Sequence, residues 1–514
     1  MRGLIWLLVL AALIDITVFG LTDLDEGFYA SVAWEMHQRR DWLTPTFQDQ
    51  PWFEKPPLLY WLMQLSMRLF EPFPRRWVSE EFVLRLPSVV MYALTLVALG
   101  IWGNRRLGEG AGTRAALLFA IAPLSLILAR LAITDVALTF FLLMALIALW
   151  ELPHRPLLWS LVGGGALGLA VLTKGPFGLG LVGLLYLLSL RGLLERGVRF
   201  RWVLAALGVA LLTAAPWYLG VYLQHGAEFF NEFVVKQNLL RFAGGDTAHS
   251  VLPLIQRGGA QSVITGVAVY LLFYVVVLWL GGFPMAAWAS GLWRRAEEPL
   301  MGYLQRWCWL VFGLFTLSFT KLPAYIFPMF PALALLTALE MQKASQAGRL
   351  RWIGGLPALL WGGLGVAVGV MSATPWAYAL LLGAGAIALA GMGGWQPRWA
   401  LALGVLGLAV GWNGALTGYD RLALKPVREL AQAVPTYRTL VLYRVNPGYP
   451  SLQFYRKGKY ATADDWQTVG HRMRTEGAYC LTTDATRLED PAVLLLERRE
   501  VLGRTFYLLA PRYQ

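Results

Sequence analysis

Acids, a base and aromatic rings occur near the N-terminus in two short stretches with types and spacings that could do chemistry. The first stretch contains Asp25 and Glu26 at the start of a helical pattern. A helix N-terminus favours carboxylates through its dipole and its free N–H groups, so capping alone would explain this pair. A carboxylate in the same place could instead accept a proton from a substrate hydroxyl. The pattern puts Phe28, Val32 and Met36 on one face, which predicts an amphipathic helix lying along the membrane interface.

The second stretch surrounds Glu54 and Lys55 with aromatic residues, and Pro56 and Pro57 stiffen the backbone that follows. One interpretation is an aromatic belt at a membrane surface that includes an ordinary surface ion pair. The other interpretation is a lysine that binds the phosphate of a lipid-linked substrate, because lysine is a point-charge ligand for phosphate. Both interpretations fit the residue types.

Further polar residues lie where apolar segments are predicted to end. They are Asp135, Lys174 and Lys321, with Tyr325 four residues after the last of these. A charged group at membrane depth is costly and is therefore a functional candidate. At an interface this inference weakens, because the long lysine side chain reaches water cheaply. Position alone does not decide between the two.

The elements that position these residues must be membrane helices. Of the 514 residues, 57% are hydrophobic and 15% are charged, whereas a soluble globular protein has about 25% charged residues. So much apolar surface has to face lipid. The net charge of +13 would suggest nucleic-acid binding in a soluble protein, but here the basic residues fall in short links between apolar runs. The sequence therefore predicts a membrane protein with membrane lipids, and no nucleic acid, as partners.

Apolar runs of roughly 20 residues, the length that crosses a bilayer core, predict a polytopic α-helical membrane protein with about 13 transmembrane helices. The separations between neighbouring runs are least distinct near Pro123, Lys174 and Pro323. The predicted limits are 3–22, 83–103, 113–129, 134–151, 156–173, 175–190, 202–223, 264–290, 305–320, 323–341, 352–372, 375–392 and 398–417.

Every predicted inside loop is basic when the N-terminus is placed in the cytoplasm, as the positive-inside rule requires. The sequence then divides into a transmembrane region, 1–417, with outer loops at about 23–82 and 224–263, and an extracytoplasmic piece, 418–514. This last piece is polar and is predicted to be a small α/β domain. Its strand-like runs are 438–445 and 478–483, and its helix-like runs are 427–434 and 464–475.

The motifs occur in an order that resembles one group of enzymes. They are DEGFYA at 25–30, FEKPPLLYW at 53–61, RLPS at 85–88, TD at 134–135, TKGP at 173–176, PWY at 216–218, NLLRF at 238–242 and KLPAYIFPMFPALALL at 321–336. This series resembles the bacterial aminoarabinose transferases of lipid A and their wider group, which is related to protein O-mannosyltransferases. The resemblance covers most of residues 1–342, and the combination is specific although each motif alone is weak.

The resemblance implies a C-type glycosyltransferase fold with a catalytic cavity at the outer membrane face. It implies that Asp25 is the general base and that Lys55, Arg241 and Tyr325 contact the carrier phosphate. These residue types suit an inverting transfer, which needs a carboxylate to take a proton from the acceptor hydroxyl. The transfer also needs cations that stabilise the charge on the departing polyprenyl phosphate.

Other residues receive less specific roles. Asp135 is a candidate second acid that orients the acceptor or the sugar, and capping of a membrane span is its alternative role. Four more side chains are expected in the same cavity, namely Glu26, Tyr29, Lys174 and Lys321.

A divalent metal ion is an expected cofactor only through Glu54, because the resemblance links the glutamate of the FEKP motif to a bound metal. Members of the group often carry a histidine near the arginine motif. This chain has Asn238 there, and its nearest histidine is His249. The chain therefore departs from the group's pattern at the metal site.

The predicted function is transfer of a sugar, with inversion, from a polyprenyl-phosphate carrier to an extracytoplasmic acceptor. The acceptor is a lipid A-like membrane lipid or a cell-envelope glycan, and the predicted location is the cell inner membrane. A protein O-glycosyltransferase is an alternative within the enzyme class, and a membrane transporter or lipid flippase is an alternative from another class. Transporters usually place polar residues at the bilayer midplane and often within repeated halves, and the sequence shows neither feature clearly.

Overall fold

The computed structural model of the chain describes residues 16–512, and residues 3, 6 and 9 before them. Within this range it leaves out 24, 75, 241–259, 297, 348–354, 380, 384, 387–397 and 446–448. About half of the first predicted span (3–22) and nearly half of the predicted span at 375–392 therefore lie outside the described residues.

Helices account for most of the described chain. In chain order the α-helices are α1 (Asp25–Arg39), α2 (Leu58–Phe70), α3 (Glu80–Leu107), α4 (Ala111–Ile121), α5 (Pro123–Leu128), α6 (Thr134–Glu151), α7 (Pro156–Lys174), α8 (Phe177–Leu188), α9 (Leu190–Glu195), α10 (Phe200–Phe229), α11 (Ala260–Gly281), α12 (Pro299–Leu317), α13 (Phe330–Ala347), α14 (Gly355–Met371), α15 (Arg398–Tyr419), α16 (Lys425–Gln432), α17 (Ser451–Arg456) and α18 (Trp466–Glu476). Short 3₁₀ segments are Met285–Leu292, Pro323–Met329, Pro375–Tyr378 and Ala485–Glu489, and π-helical segments are Phe230–Leu240 and Asp420–Leu424.

Six helical segments of the described chain are long and apolar enough to cross a membrane, judged by length and composition. They are Glu80–Leu107, Thr134–Glu151, Pro156–Lys174, Phe200–Asn238, Gln261–Gly281 and Pro323–Gln342. Each overlaps a span predicted from hydropathy. The shorter apolar helices Ala111–Ile121, Phe177–Leu188 and Leu359–Met371 fall on three further predicted spans. The fold is therefore a helical membrane bundle.

Proline and glycine interrupt the helices at two of the places where the separation between predicted spans was indistinct. The predicted span 113–129 is divided into α4 and α5, because Ala122 is extended and Pro123, which follows it, has no N–H group to donate. A second break follows Lys174, where Gly175 has a φ of +79° that favours glycine. The second break places the end of α7 and the start of α8 at the cavity described below.

Residues 425–511, called the C-terminal unit below, form a five-stranded sheet with helices. The strands are β3 (Leu440–Tyr443), β4 (Tyr460–Ala463), β5 (Tyr479–Thr482), β6 (Val493–Val501) and β7 (Arg504–Pro511), after a small hairpin of β1 (Thr46–Phe47) and β2 (Gln50–Pro51) in the first loop. The order in the sheet is β4-β3-β5-β7-β6, with β4, β3 and β5 parallel and β7 and β6 antiparallel.

Alternate residues of β3 face opposite sides of the sheet, as strand geometry requires. Leu440 and Leu442 pack into the main core, which extends into the membrane bundle, while Val441 and Tyr443 pack into a separate smaller core with α18. One face of the C-terminal unit is thus continuous with the rest of the protein.

Helix α1 is not the interfacial helix that the sequence predicted. Val32 and Met36 are fully buried, and so are polar residues on other faces of α1, Ser31 and Glu35 among them. Ser31 donates to the carbonyl of Pro450 at 3.0 Å. The prediction was wrong because the C-terminal unit covers the face of α1 that was assigned to water.

Candidate active site

A cavity of about 140 Å³ lies where several helix ends meet. Five of the residues that sequence reasoning selected line it together: Glu54, Lys55, Asp135, Lys174 and Tyr325. These residues come from four separate parts of the chain, namely the first loop, the start of α6, the end of α7 and the 3₁₀ segment before α13. The fold therefore brings residues that are up to 271 positions apart in the sequence together in one site.

Asp135 and Lys174 form an ion pair inside this cavity. Lys174 Nζ donates to Asp135 Oδ1 at 2.6 Å, and both side chains are largely buried, with 18% and 11% of their surface exposed. The same ammonium lies 4.8 Å from the centre of the Tyr325 ring, a distance at which the ring face attracts a cation. Asp135 thus orients Lys174. The roles expected for Asp135 from the sequence were capping of a membrane span or contact with the acceptor or the sugar.

Glu54 and Lys55 form the second pair, with Lys55 Nζ 2.7 Å from Glu54 Oε1. A tight turn in the β1–β2 hairpin precedes them, in which Gln48 and Asp49 both have positive φ. The buried carboxylate of Glu35 accepts the N–H groups of both turn residues, at 2.6 and 3.1 Å. Glu35 therefore fixes a turn that would otherwise favour glycine, and through it the approach of the loop to the cavity.

Aromatic rings hold the other side of this loop. The ring of Phe53 meets those of His225 and Phe229 edge-on at 5.1 and 5.2 Å, and Phe229 stacks on Phe233 at 5.4 Å. Edge-on and stacked rings at these separations are favourable arrangements. The column of rings connects the residue before Glu54 to the π-helical segment that extends α10.

That π-helical segment supplies Phe233, Gln237 and Asn238 to the cavity wall. Asn238 donates to the carbonyl of Phe233 at 2.6 Å, and both residues pack closely against Gly175. Sequence reasoning treated residues 224–263 as an outer loop and assigned no cavity role to Phe233 or Gln237. No clear pattern in the sequence indicated this role, although π-helical turns often occur at functional sites.

Asp25 is the first residue of α1 and is exposed, and it is not among the residues that line the cavity. Desolvation by the surrounding protein raises the pKa of this carboxyl above its usual value, and the charges of Asp135 and Glu54 raise it further. The positive charges of Lys55 and Lys174 act in the opposite direction and lower it. Asp25 is therefore close enough to both ion pairs for their charges to control its proton affinity.

Glu26, the next residue, does not line the cavity. It is fully buried and accepts from Arg85 Nε at 2.6 Å and from Arg85 Nη2 at 2.7 Å. It also accepts the N–H groups of Ala132 and Thr22, at 2.9 and 2.8 Å. The expectation of a cavity role for Glu26 is thus wrong, because its oxygens are already occupied by structural partners.

The remaining predicted residues have three different outcomes. Tyr29 is buried beneath Asp25 with its ring 6.0 Å from that of Tyr60, and it is not part of the cavity wall. Lys321 is also behind the wall, where its ammonium donates to the carbonyls of Phe315 and Thr316 at the end of α12, at 3.0 and 2.8 Å. Arg241 lies outside the described residues.

The described residues around Glu54 do not provide a metal site. No group of three or more His, Cys, Asp and Glu residues in the described part of the chain is arranged to hold a metal ion. Glu54 is paired with Lys55 instead, and His249 is outside the described residues. No step of the chemistry below depends on a metal ion.

Comparison with known proteins agrees with the motifs. Residues 54–219 match the family described as dolichyl-phosphate-mannose-protein mannosyltransferase. The undecaprenyl phosphate-alpha-4-amino-4-deoxy-L-arabinose arabinosyl transferase of Pseudomonas paraeruginosa is 31% identical over 370 residues, which are 67% of this chain and 61% of that protein. The enzyme of the same name numbered 1 in Pseudomonas fluorescens is 28% identical over 359 residues, covering 66% of this chain and 57% of that protein. The chain thus matches about three fifths of the length of these relatives.

A solved structure matches over nearly the whole chain. The crystal structure of ArnT from Cupriavidus metallidurans bound to undecaprenyl phosphate has a TM-score of 0.76, with 20% sequence identity over 99% of this chain and 97% of that one. The apo state of the same protein gives a TM-score of 0.75. The motif-based prediction is therefore confirmed: this chain is similar in sequence to the bacterial aminoarabinose transferases and to the protein mannosyltransferase family, and it has the fold of ArnT.

Proposed function

We propose that this protein is an integral membrane glycosyltransferase that moves a sugar from a polyprenyl-phosphate carrier to an extracytoplasmic acceptor. The observation that carries the proposal is the cavity itself, where two lysines and two carboxylates from three chain segments lie close enough to Asp25 for their charges to act on its carboxylate. The relatives that share sequence with the chain are named for an undecaprenyl-phosphate donor, which supports the same carrier here.

The cavity has walls suited to both ends of such a donor. Apolar side chains of Leu138, Phe177, Leu314 and Phe315 line one part of it, where they can contact the first units of a polyprenyl chain through burial of apolar surface. Lys55 and Lys174 lie in the polar part. Together with Arg241, they are the proposed cations for the carrier phosphate, and Tyr325 contributes its hydroxyl.

Asp25 acts as the general base in this mechanism. Its carboxylate takes the proton from the acceptor hydroxyl as the hydroxyl oxygen attacks the anomeric carbon. The bond between that carbon and the phosphate oxygen breaks on the opposite face of the sugar, so the configuration inverts. The lysines stabilise the negative charge on the departing polyprenyl phosphate.

The acceptor is proposed to be a lipid A-like membrane lipid or a cell-envelope glycan. The match to the protein mannosyltransferase family includes the loop and helices that hold the two ion pairs, and it ends at residue 219. It therefore supports the donor side of the reaction more than a protein acceptor. We also propose that the N-terminus is cytoplasmic and that the active site and the domain at 418–514 are extracytoplasmic, because this orientation puts the basic loops inside.

The test is transfer in vitro from a panel of purified polyprenyl-phosphate sugars, with lipid, glycan and peptide acceptors offered separately. Released polyprenyl phosphate and glycosylated acceptor are both measured. Asp25→Asn should lower the rate by about 10²–10⁴-fold, the usual contribution of a general base. Lys55→Ala should lower it by about 10²–10³-fold, the typical effect of losing one group that stabilises developing charge.

Glu195→Gln is a matched control, because it removes a carboxylate from an exposed i,i+4 pair with Arg191 far along the chain. It should leave the rate unchanged. Full activity of Asp25→Asn would refute the proposed base. If well-folded protein released no polyprenyl phosphate from any donor with native lipids present, the transport alternative would replace the enzyme.

A further inference from the structure

The C-terminal unit contacts the short segment that ends in Asp25, and these contacts are concentrated in one place. Residues 450–455, called the anchor segment here, consist of Pro450 and most of α17. The anchor segment meets residues 20–35 of the transmembrane region through hydrogen bonds and close backbone contact. Nothing in the donor chemistry proposed above requires this junction.

Asp23 makes the most direct connection. Its Oδ1 accepts the N–H of Ser451 at 2.8 Å, and its Oδ2 accepts the Ser451 hydroxyl at 2.6 Å. Both carboxylate oxygens of Asp23 are therefore used to hold the anchor segment, two residues before the proposed base.

Two backbone N–H groups that precede Asp25 are also held by residues of the C-terminal part of the chain. The N–H of Leu21 donates to the Tyr455 hydroxyl at 2.6 Å, and that hydroxyl donates to Glu81 Oε1 at 3.0 Å. The N–H of Gly20 donates to Asp420 Oδ1 at 2.7 Å, just before the C-terminal unit. Three groups in this stretch, the N–H groups of Gly20 and Leu21 and the carboxylate of Asp23, are thus held by residues 400 to 434 positions later.

Gly27 shows how close the contact is. A Cβ atom at this position would lie 2.6 Å from Asp23 Oδ1 and 2.7 Å from the backbone nitrogen of Ser451. The second of these atoms belongs to the backbone and cannot rotate away. The close approach of the anchor segment therefore requires glycine at position 27, in the DEGFYA motif. Without this contact, alanine would be favoured over glycine at a helical position.

The contact continues along α1. Ser31 donates to the Pro450 carbonyl at 3.0 Å, and Gln453 donates to Glu35. Glu35 also holds the hairpin turn that precedes Glu54 and Lys55. The anchor segment consequently contacts the piece of the first loop that carries Asp25, and it is connected through Glu35 to the turn that precedes Glu54 and Lys55.

We propose that the anchor segment positions the proposed catalytic base, with Asp23, Gly27 and Ser451 as positioning residues. This inference rests on the proposed function and gives the C-terminal unit a role in the chemical step. A base must be held within hydrogen-bonding reach of the proton that it abstracts. A misplacement of about 1 Å can cost about 10²-fold in rate, which is the size of effect expected when the junction is broken.

The decisive experiment compares two substitutions at Asp23 with one at Asp25, measured as kcat and as KM for the donor and the acceptor. Asp23→Ala removes both bonds to Ser451 and should lower kcat by about 10- to 100-fold with little change in either KM. Asp23→Asn keeps an oxygen that accepts from the Ser451 N–H and gains an amide that donates to its hydroxyl. It should restore most of the lost activity.

Asp25→Asn, by contrast, should lose activity, because an amide cannot take a proton at neutral pH. The two neighbouring acids are thereby distinguished: position 23 needs only hydrogen-bonding shape, and position 25 needs a titrating carboxylate. If Asp25→Asn is inactive but Asp23→Ala retains wild-type kcat, the anchor proposal is wrong and the proposed function stands. If Asp25→Asn is active, the proposed base itself is wrong.

A matched control exists within the same unit. Asp465 accepts the N–H and the hydroxyl of Thr468, each at 2.7 Å, in an arrangement like that of Asp23 and Ser451 but at the exposed start of α18. Thr468→Ala should leave kcat unchanged, while Ser451→Ala should lower it. Equal effects of the two substitutions would show that the unit acts only through overall stability and would overturn the proposal.

Gly27→Ala tests the same junction by adding a methyl group to it, whereas the other substitutions remove hydrogen bonds. At an ordinary helical position this change stabilises a protein, so improved stability with unchanged kcat is the result that contradicts the proposal. We expect a lower kcat at unchanged donor KM. A raised acceptor KM with normal kcat, in this variant and in Asp23→Ala, would instead show that the unit binds the acceptor, which also overturns the positioning role.

Discussion

Glu26→Gln tests whether the second acid of the DE pair is structural, as its contacts indicate. The side chain is fully buried and holds the guanidinium of Arg85 through two bonds of 2.6 and 2.7 Å. Arg85 in turn donates to the carbonyls of Ile16, Phe19 and Gly20, at 2.9, 2.8 and 2.7 Å. Glutamine keeps the size of the side chain but removes its charge, so the arginine is left buried without a counter-charge.

The expected loss follows from the burial of both partners, each of which has 0% of its side chain exposed. Removing one member of a buried ion pair costs about 3–5 kcal/mol, because the remaining charge is not compensated. An unfolding entropy of about 2.1 cal/mol/K per residue gives ~1.1 kcal/mol/K for the whole chain, so Tm should fall by about 3–5 °C. If only part of the chain unfolds in the transition, the entropy is smaller and the fall in Tm is larger.

The assay is thermal unfolding of purified protein in one detergent at pH 7.5, with Asp25→Asn measured beside Glu26→Gln. Since desolvation and neighbouring acids raise the pKa of Asp25, removing its charge should leave Tm unchanged or raise it. The two adjacent acids should therefore respond differently: Glu26→Gln should lower Tm, and Asp25→Asn should not. An unchanged Tm for Glu26→Gln, in protein that is otherwise normally folded, would refute the structural role of the Glu26–Arg85 pair.

Three further predictions concern charge. Lys55→Ala should move the acid limb of the pH–rate profile to higher pH, because the positive charge of Lys55 lowers the pKa of Asp25. The profile is measured on the residual transfer activity, and an acid limb that does not move would contradict this coupling. Burial raises the pKa of Asp23 to about 7, so the folded protein binds a proton that the unfolded chain releases near pH 4, and this group makes Tm fall as pH rises from about 4 to about 7. Asp23→Asn should flatten that part of the Tm profile, and an identical profile would contradict the burial of the carboxyl. Asp135→Asn should weaken donor binding more than Leu138→Ala, since Lys174 loses the partner that orients it, and equal donor KM values for the two variants would argue against an orienting role.

Hydropathy predicted the membrane helices well because the bilayer imposes a single strong requirement. A helix that crosses lipid needs a long apolar stretch regardless of its neighbours, so α6 and α7 begin and end within a residue of the predicted spans. Predictions were poorer where tertiary contact decides. The sequence of residues 230–240 contains no sign that α10 continues as a π-helix, and α1 was placed on the membrane surface because its covering partner is more than 400 residues away.

The site was predicted unevenly for a related reason. Residue type indicated which side chains could bind phosphate or accept a proton, and the cavity contains five of them. Residue type could not separate Asp25 from Glu26, because two adjacent acids at a helix start look alike in sequence. Their surroundings differ: Arg85 and Ala132 occupy the oxygens of the buried Glu26, while Asp25 is exposed.

The pairing of charges in the cavity constrains the order of events in the proposed reaction. Lys55 and Lys174 are each within 2.7 Å of a carboxylate oxygen, so the carrier phosphate must share these ammonium groups with Glu54 and Asp135. The phosphate brings a negative charge close to the two cations that lower the pKa of Asp25. Donor binding should therefore raise that pKa, since part of the stabilising positive potential is neutralised. Asp25 becomes a stronger base once the donor is bound, which favours proton abstraction from an acceptor that arrives second.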